Sequence, residues 1–188
     1  MTGNKRTTQA DIIQAVFSRI ESGRYLPGVR IIPATIAAEL GISTIPVREA
    51  LSQMVGRDLL VDRHREGFHV APLNGITIGT LYAEHALLMD RAITFRAGDV
   101  RPIGRPGNQW RVFQSIVEQT GNDAMTGVQR HLAGRLLPAR RREASYPGIA
   151  TATRELWVAA RENDATRARE ASCEFHRICV IESTRVFG

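Results

Sequence analysis

Apolar residues recur at Ile12, Ile13, Val16, Phe17 and Ile20, the spacing of a helix that buries one face, and predict a helix from about Gln9 to Ser22. Gly23 is placed to end it. The run Tyr25-Leu26-Pro27-Gly28 then reads as a turn, since proline fixes φ and glycine accepts the positive φ that turns often need. Two short helical patterns follow, Pro33 to Leu40 and Ser43 to Val55, so close together that the helices must cross sharply. Next, Leu59-Leu60-Val61 and Phe68-His69-Val70 flank the polar tip Arg63-His64-Arg65-Glu66-Gly67, the pattern of a β-hairpin. Pro72-Leu73-Asn74-Gly75 reads as a linker. Beyond it the pattern predicts helices near Ile76 to Ala97, Gln109 to Thr120, Asp123 to Leu137, Ile149 to Glu162 and Ala165 to Val186. A proline- and glycine-bearing loop from Gly98 to Asn108 interrupts them. The expected fold class is mainly α with a small β-hairpin: two closely crossed helices and a hairpin in the N-terminal part, an all-α bundle after it.

The crossed pair has the chemistry of a helix-turn-helix. Ala37 is small where the helices approach, Gly41 sits in the tight turn, and Val47 returns a β-branched side chain to the shared core. Ile36, Leu40, Ile42, Leu51 and Met54 complete the apolar face. Ser43 can cap the second helix through its hydroxyl, and Pro46 is tolerated in a first turn whose amide has no intrahelical partner. With the core side assigned, Thr44, Ile45, Arg48 and Ser52 point outward near the helix N-terminus, the part that enters the major groove of DNA in this motif; Thr35 and Pro46 border them. A guanidinium at Arg48 can bridge guanine O6 and N7 or pair with phosphate, or else pair with Glu49 or Glu39 on a solvated surface. Ile45 suits a thymine methyl. In the hairpin, His64 and Arg65 beside Gly67 suit a minor groove or its phosphates, or else Arg63 and Arg65 simply keep an edge hairpin soluble.

Charge agrees with a polyanionic partner: the formal net charge is +6, with 24 arginines and the single lysine Lys5 against 19 acidic residues. No stretch approaches the roughly 18 apolar residues of a membrane helix, and the polar start lacks a signal-peptide core, so a cytoplasmic protein without a membrane partner is expected. Cys173 and Cys179, six apart in one helical pattern, match neither a redox pair nor a zinc site and read as reduced helix residues.

The first seventy residues resemble the GntR family of bacterial regulators, specifically its FadR-like branch. The resemblance rests on Ile20 to Gly28, on Ala37-Ala38-Glu39-Leu40-Gly41-Ile42-Ser43, on Pro46-Val47-Arg48-Glu49-Ala50-Leu51 and on Arg65-Glu66-Gly67-Phe68-His69-Val70, in the family's order and spacing. It implies a winged helix-turn-helix domain over residues 5–73, with the helix-turn-helix at 33–54 and the wing at 59–71. The implied function is that of a dimeric, sequence-specific DNA-binding regulator, a repressor by the family's habit. Two departures stand out. Ser43-Thr44-Ile45 replaces the usual Ser-Arg-Thr, removing one DNA-contacting arginine, and Glu66-Gly67 replaces a frequent Arg-Gly at the wing. An operator unlike the family's common one is therefore expected.

Residues 76–188 resemble the branch's helical domain in outline, through Phe113 to Asn122 and Ala159 to Asp164, with fewer helices after the first. Many relatives hold a divalent metal there through an aspartate and three histidines. The corresponding positions here hold Trp110, Gln114 and Thr153, with His176 one residue out of register, so no metal or other cofactor is expected. His85, His131 and His176 remain the histidines that can converge. The half is expected to dimerise, placing two recognition helices about 34 Å apart on a two-fold operator. Its pocket for a small organic effector is expected to be altered or absent. Tyr82, Leu87, Leu88, Trp157 and Phe175 supply apolar surface for core or interface, and Arg140-Arg141-Arg142 near Arg135 reads as a DNA-flank contact or a solvated loop. Two other classes stay open. One is a protein-interaction module on a winged helix that lost DNA affinity; the other is an enzyme or metal protein, although no nucleophile elbow, phosphate loop or zinc-spaced histidine pair is present.

Overall fold

The computed structural model describes residues 7–96 and 109–187; the expected Gly98 to Asn108 loop lies outside them. The chain divides into two compact units, Met1–Leu73 and Asn74–Gly188.

The first unit contains α1 (Gln9–Glu21), α2 (Pro33–Leu40), α3 (Thr44–Val55), β1 (Leu60–Arg63) and β2 (Gly67–Val70). A capping box starts α1: the Asp11 amide donates to the Thr8 hydroxyl while the Thr8 amide donates to the Asp11 carboxylate. Pro33 opens α2, and Gly41 closes it at φ 65°, a left-handed conformation that lets α3 begin three residues later. Ile12, Val16 and Ile20 of α1 meet Ile36 and Ala37 of α2 and Val47, Ala50, Leu51 and Met54 of α3 in a buried core, each large side chain contributing about 1.5–3 kcal/mol. Strands β1 and β2 pair antiparallel from Leu60↔Val70 to Arg63↔Gly67. The 28–31 segment runs alongside: Ile31 N–H donates to Phe68 O, Val70 N–H to Val29 O, and Arg30 bridges His69. The sequence pattern gives only a turn there, because the pairing is made by a chain segment about forty residues away.

The second unit is formed by α4 (Gly75–Phe95), α5 (Gln109–Glu118), α6 (Asp123–Arg135), α7 (Leu137–Glu143), α8 (Ile149–Arg161) and α9 (Ala165–Phe187). The long helices α4 and α9 pack along each other, α8 lies on α9, and α5 and α6 lie on α4. Tyr82, Phe113 and Phe175 are fully buried in this core, whereas Leu87 is 71 % exposed, so the five apolar candidates divide between interior and surface. Arg140, Arg141 and Arg142 belong to α7 and not to a loop. Arg140 lies over the Trp110 ring at 4.4 Å and Arg142 faces Phe187, so two of the three arginines pack on aromatic rings.

Candidate nucleic-acid interface

Helix α3 buries Val47, Ala50, Leu51 and Met54, which leaves Thr44, Ile45, Arg48 and Ser52 on the opposite, exposed face. These four sit at i, i+1, i+4 and i+8, so they form one stripe starting in the first turn. Ile45 is 67 % exposed, an apolar side chain offered to solvent at the end of the helix where amides point outward. Ser43 holds the N-cap position, but its hydroxyl makes no capping hydrogen bond, contrary to expectation, and it stays exposed. Pro46 is half-buried in the first turn and Thr35 is exposed on α2.

The proposed surface pairing of Arg48 with Glu39 is not what the fold builds. Glu39 is taken by Arg19 and Arg24, whose guanidinium groups, Arg19 first, hold its carboxyl below the usual carboxylate range. The Arg48 guanidinium instead lies 5.8 Å from the centre of the Phe68 ring, inside the range of a weak cation–π contact. Phe68 itself is buried in β2. This ring under the arginine was missed in sequence, where Phe68 reads only as an inward strand residue.

At the wing, Arg63 to Glu66 form a tight turn closed by the Glu66 amide donating to Arg63 O at 2.9 Å. His64 and Arg65 are exposed on it. Arg65 stands at φ 64° and Gly67 at φ 83°. The left-handed region costs a non-glycine residue about 1–2 kcal/mol, so the fold pays to place an arginine at the tip. Behind it, His69 donates from Nδ1 to Gly67 O at 2.9 Å and Arg63 lies 3.6 Å from Glu66.

The basic excess is not concentrated on this unit. Residues 1–73 carry nine basic and seven acidic side chains, and residues 74–188 carry sixteen and twelve. What favours an anion is the arrangement: Arg19 and Arg24 are tied to Glu39, while Arg30, Arg48 and Arg65 are exposed. Arg30 was missed because nothing local in the sequence marks it; it gains its place beside the wing only through the bridge to His69.

In the helical unit, two of the three candidate histidines meet and the third does not: His131 is exposed on α6. His85 Nδ1 lies 2.6 Å from His176 Nε2, and His176 Nδ1 lies 2.6 Å from Ser172 O. A carbonyl only accepts, so His176 carries its proton on Nδ1 and accepts at Nε2 from His85 Nδ1–H. The atom facing His85 Nε2 at 2.7 Å is Gln129 Oε1; two neutral rings require this amide turned over, so that its NH2 group donates to Nε2. Trp110, Phe113 and Phe175 close around the pair with ring centroids 4.8–5.5 Å apart. Burial pushes both imidazoles down, His176 to about 4 and His85 well below its ordinary value, with His176 adding to the effect on His85.

These residues do not fit the metal site that the resemblance implies. All four imidazole nitrogens are engaged within the protein, Gln114 is exposed and donates to Glu118, and Trp110 Nε1 donates to Glu143. Among the described residues no group of three or more His, Cys, Asp or Glu side chains is arranged to hold a metal ion. Glu143 is itself fully buried and accepts from Tyr82 at 2.6 Å, Gln109 at 2.6 Å and Trp110 at 2.9 Å; burial raises its carboxyl above the usual range against the pull of these donors. Cys173 is exposed and Cys179 buried, neither in a disulfide, on α9.

Residues 8–70 match the family model of bacterial regulatory proteins, gntR family. Among solved structures, McbR/YncC of E. coli is similar over 96 % of this chain and 98 % of its own, at 15 % identity and a TM-score of 0.79. A GntR transcriptional regulator of Rhodococcus sp. RHA1 is similar over 96 % and 99 %, at 13 % identity and a TM-score of 0.79. Lar of Listeria monocytogenes is similar over 98 % and 100 %, at 11 % identity and a TM-score of 0.53. At these identities the likeness is one of fold, and it extends through both units. No curated protein matches the chain in sequence. No described helix is long and apolar enough to cross a membrane.

Proposed function

We propose that this chain, whose N-terminal unit carries the domain of the gntR family of bacterial regulatory proteins, is a homodimeric repressor of the FadR-like branch that reads a two-fold DNA operator in the cytoplasm. The observation that carries the reading is the division of α3 into a buried side and an exposed stripe of Thr44, Ile45, Arg48 and Ser52. Arg48 contacts a base edge or phosphate, Ile45 packs on a thymine methyl, and Thr44, Ser43, Ser52, Pro46 and Thr35 border the groove. His64, Arg65 and Gly67 carry the wing to the adjacent backbone.

The helical unit serves dimerisation, and its effector pocket is altered or lost. Support for the second point is the closed His85, His176 and Gln129 chain, in which a ligand would find no ring nitrogen free. The chain is read as a regulator and not as an enzyme.

The test is fluorescence anisotropy on DNA from upstream of the protein's own gene, across salt, with Arg48→Ala as comparison. One lost base contact is worth about 1–3 kcal/mol per half-site, so Arg48→Ala weakens binding about tenfold or more without lowering thermal stability. Ile45, exposed where the family has another residue, favours a second reading, a protein-docking helix. Binding that is indifferent to sequence and unchanged in Arg48→Ala would establish that reading instead.

A further inference from the structure

Helix α4 leaves one stripe of its surface uncovered. Glu84, Leu87, Leu88 and Arg91 follow one another at helical spacing, and Phe95 continues the line one turn later. Leu87 is 71 % and Phe95 53 % exposed, and Val128 of α6 beside them is 48 % exposed. With Thr120, Asn122 and Met125 these residues border an open groove of about 650 Å³. Contiguous apolar surface framed by polar residues marks a place where another surface docks.

The charges on the stripe say which surface. Glu84 lies one turn before the leucine pair and Arg91 one turn after it, with the Arg91 guanidinium 4.8 Å from the Phe95 ring. A two-fold axis through the midpoint between Leu87 and Leu88 lays a second α4 antiparallel on the first. Glu84 of each copy then meets Arg91 of the other, Leu87 meets Leu88, and Phe95 comes opposite the exposed Thr80. An isologous interface demands this self-complementarity, residue i meeting j while j meets i; a foreign partner places no such constraint on the stripe.

We propose that the α4 stripe is the seam of the homodimer, with Glu84 and Arg91 as its reciprocal ion pairs and Leu87 and Leu88 at its centre. The inference rests on the dimeric reading above and names the surface that makes the dimer.

The experiment is sedimentation of the full chain across micromolar concentrations, with circular dichroism as a check that each variant is folded. Every altered residue is on the surface, so folding is retained. Glu84→Arg creates two Arg–Arg contacts and Arg91→Glu two Glu–Glu contacts, and each raises the dimer Kd by about tenfold or more. Mixing the two variants restores association, because the arginine introduced at position 84 of the first then faces the glutamate introduced at position 91 of the second, while the unaltered Arg91 of the first faces the unaltered Glu84 of the second. Native mass spectrometry of a tagged and an untagged variant should find the mixed dimer in excess over either homodimer. Leu87→Glu is monomeric. A wild type that dimerises with a Kd unmoved by all three variants overturns the seam and leaves the dimer standing. A wild type that is monomeric throughout overturns both.

Discussion

The buried histidine pair should make the helical unit sensitive to mild acid. In the folded chain His85 and His176 are closed off from water and burial favours their neutral forms; with the Gln129 amide donating to His85, one proton between the rings satisfies both and leaves no room for a second. In the unfolded chain each imidazole titrates near its ordinary value of about 6.5. The unfolded state therefore binds more protons at every pH from about 6.5 down to the folded values, and stability rises with pH across that window. Above pH 7 nothing is lost. At pH 5 a histidine kept neutral by the fold costs about 2 kcal/mol relative to pH 8, so the pair costs about 4 kcal/mol, a large share of the 5–15 kcal/mol that stabilises an ordinary domain. Glu143 works the other way, since a carboxyl raised by burial takes up its proton in the folded state first and gains stability as pH falls. Comparing the wild type with His85→Gln/His176→Gln at each pH removes that contribution, because both chains keep Glu143. The assay is urea unfolding at pH 8, 7, 6 and 5 followed by tryptophan fluorescence. Both tryptophans, Trp110 and Trp157, lie in the helical unit, so the signal reports that unit alone. The difference between the two chains should shrink by about 4 kcal/mol from pH 8 to pH 5. A difference that moves by less than about 1 kcal/mol refutes the buried neutral pair.

Further outcomes follow from single side chains. Arg65→Gly relieves a left-handed φ of 64° and should stabilise the wing by about 1 kcal/mol, seen as slower amide exchange in β1 and β2, while operator affinity drops severalfold with the lost charge. Glu143→Leu leaves the Tyr82 hydroxyl and the Trp110 N–H without their acceptor; at about 1–3 kcal/mol for each stranded donor, its urea midpoint should fall well below that of Glu143→Gln. If Ile45 reads a thymine methyl, one thymine per half-site replaced by uracil should weaken binding of the wild type and leave Ile45→Ala unmoved, a pattern measurable by anisotropy.

What was legible in sequence was local. The periodicity of Ile12, Val16 and Ile20, the glycine at 41 and the proline at 33 each act within one or two turns of chain, and they set α1 and the α2–α3 turn where the pattern places them. The hairpin followed from its alternating strands and the glycine at 67. Contacts made across the fold were not legible. Nothing near Arg48 announces that Phe68 will lie beneath it, and His85 and His176 are 91 positions apart, joined only because α4 and α9 pack together. Helix α7 escaped detection because its seven residues are too few for a period to show and its three arginines read as solvated loop. Composition gives the sum of charge and not its place: of the net +6 that agrees with a polyanionic partner, +4 belongs to the helical unit.

Under the proposed function, that distribution ties DNA reading to dimerisation. With Arg19 and Arg24 held by Glu39, the arginines that one copy offers beside α3 and at the wing tip are Arg30, Arg48 and Arg65. Three phosphate contacts release few counterions, for a slope of log affinity on log salt of about −3, and such binding is weak at physiological salt. On the proposed two-fold operator, two copies would bring the slope to about −5 and multiply the base contacts as well, so a helical unit that dimerises would matter to DNA binding. Leu87→Glu offers the check. It lies in the helical unit and alters no residue of α3 or the wing, so if the dimer supplies the affinity, the variant should bind operator with about half the wild-type salt slope. A full slope in a monomeric Leu87→Glu chain would mean that one copy holds more phosphates than these three arginines account for, and that further basic side chains such as Arg57 and Arg63 or those of the helical unit also meet the DNA.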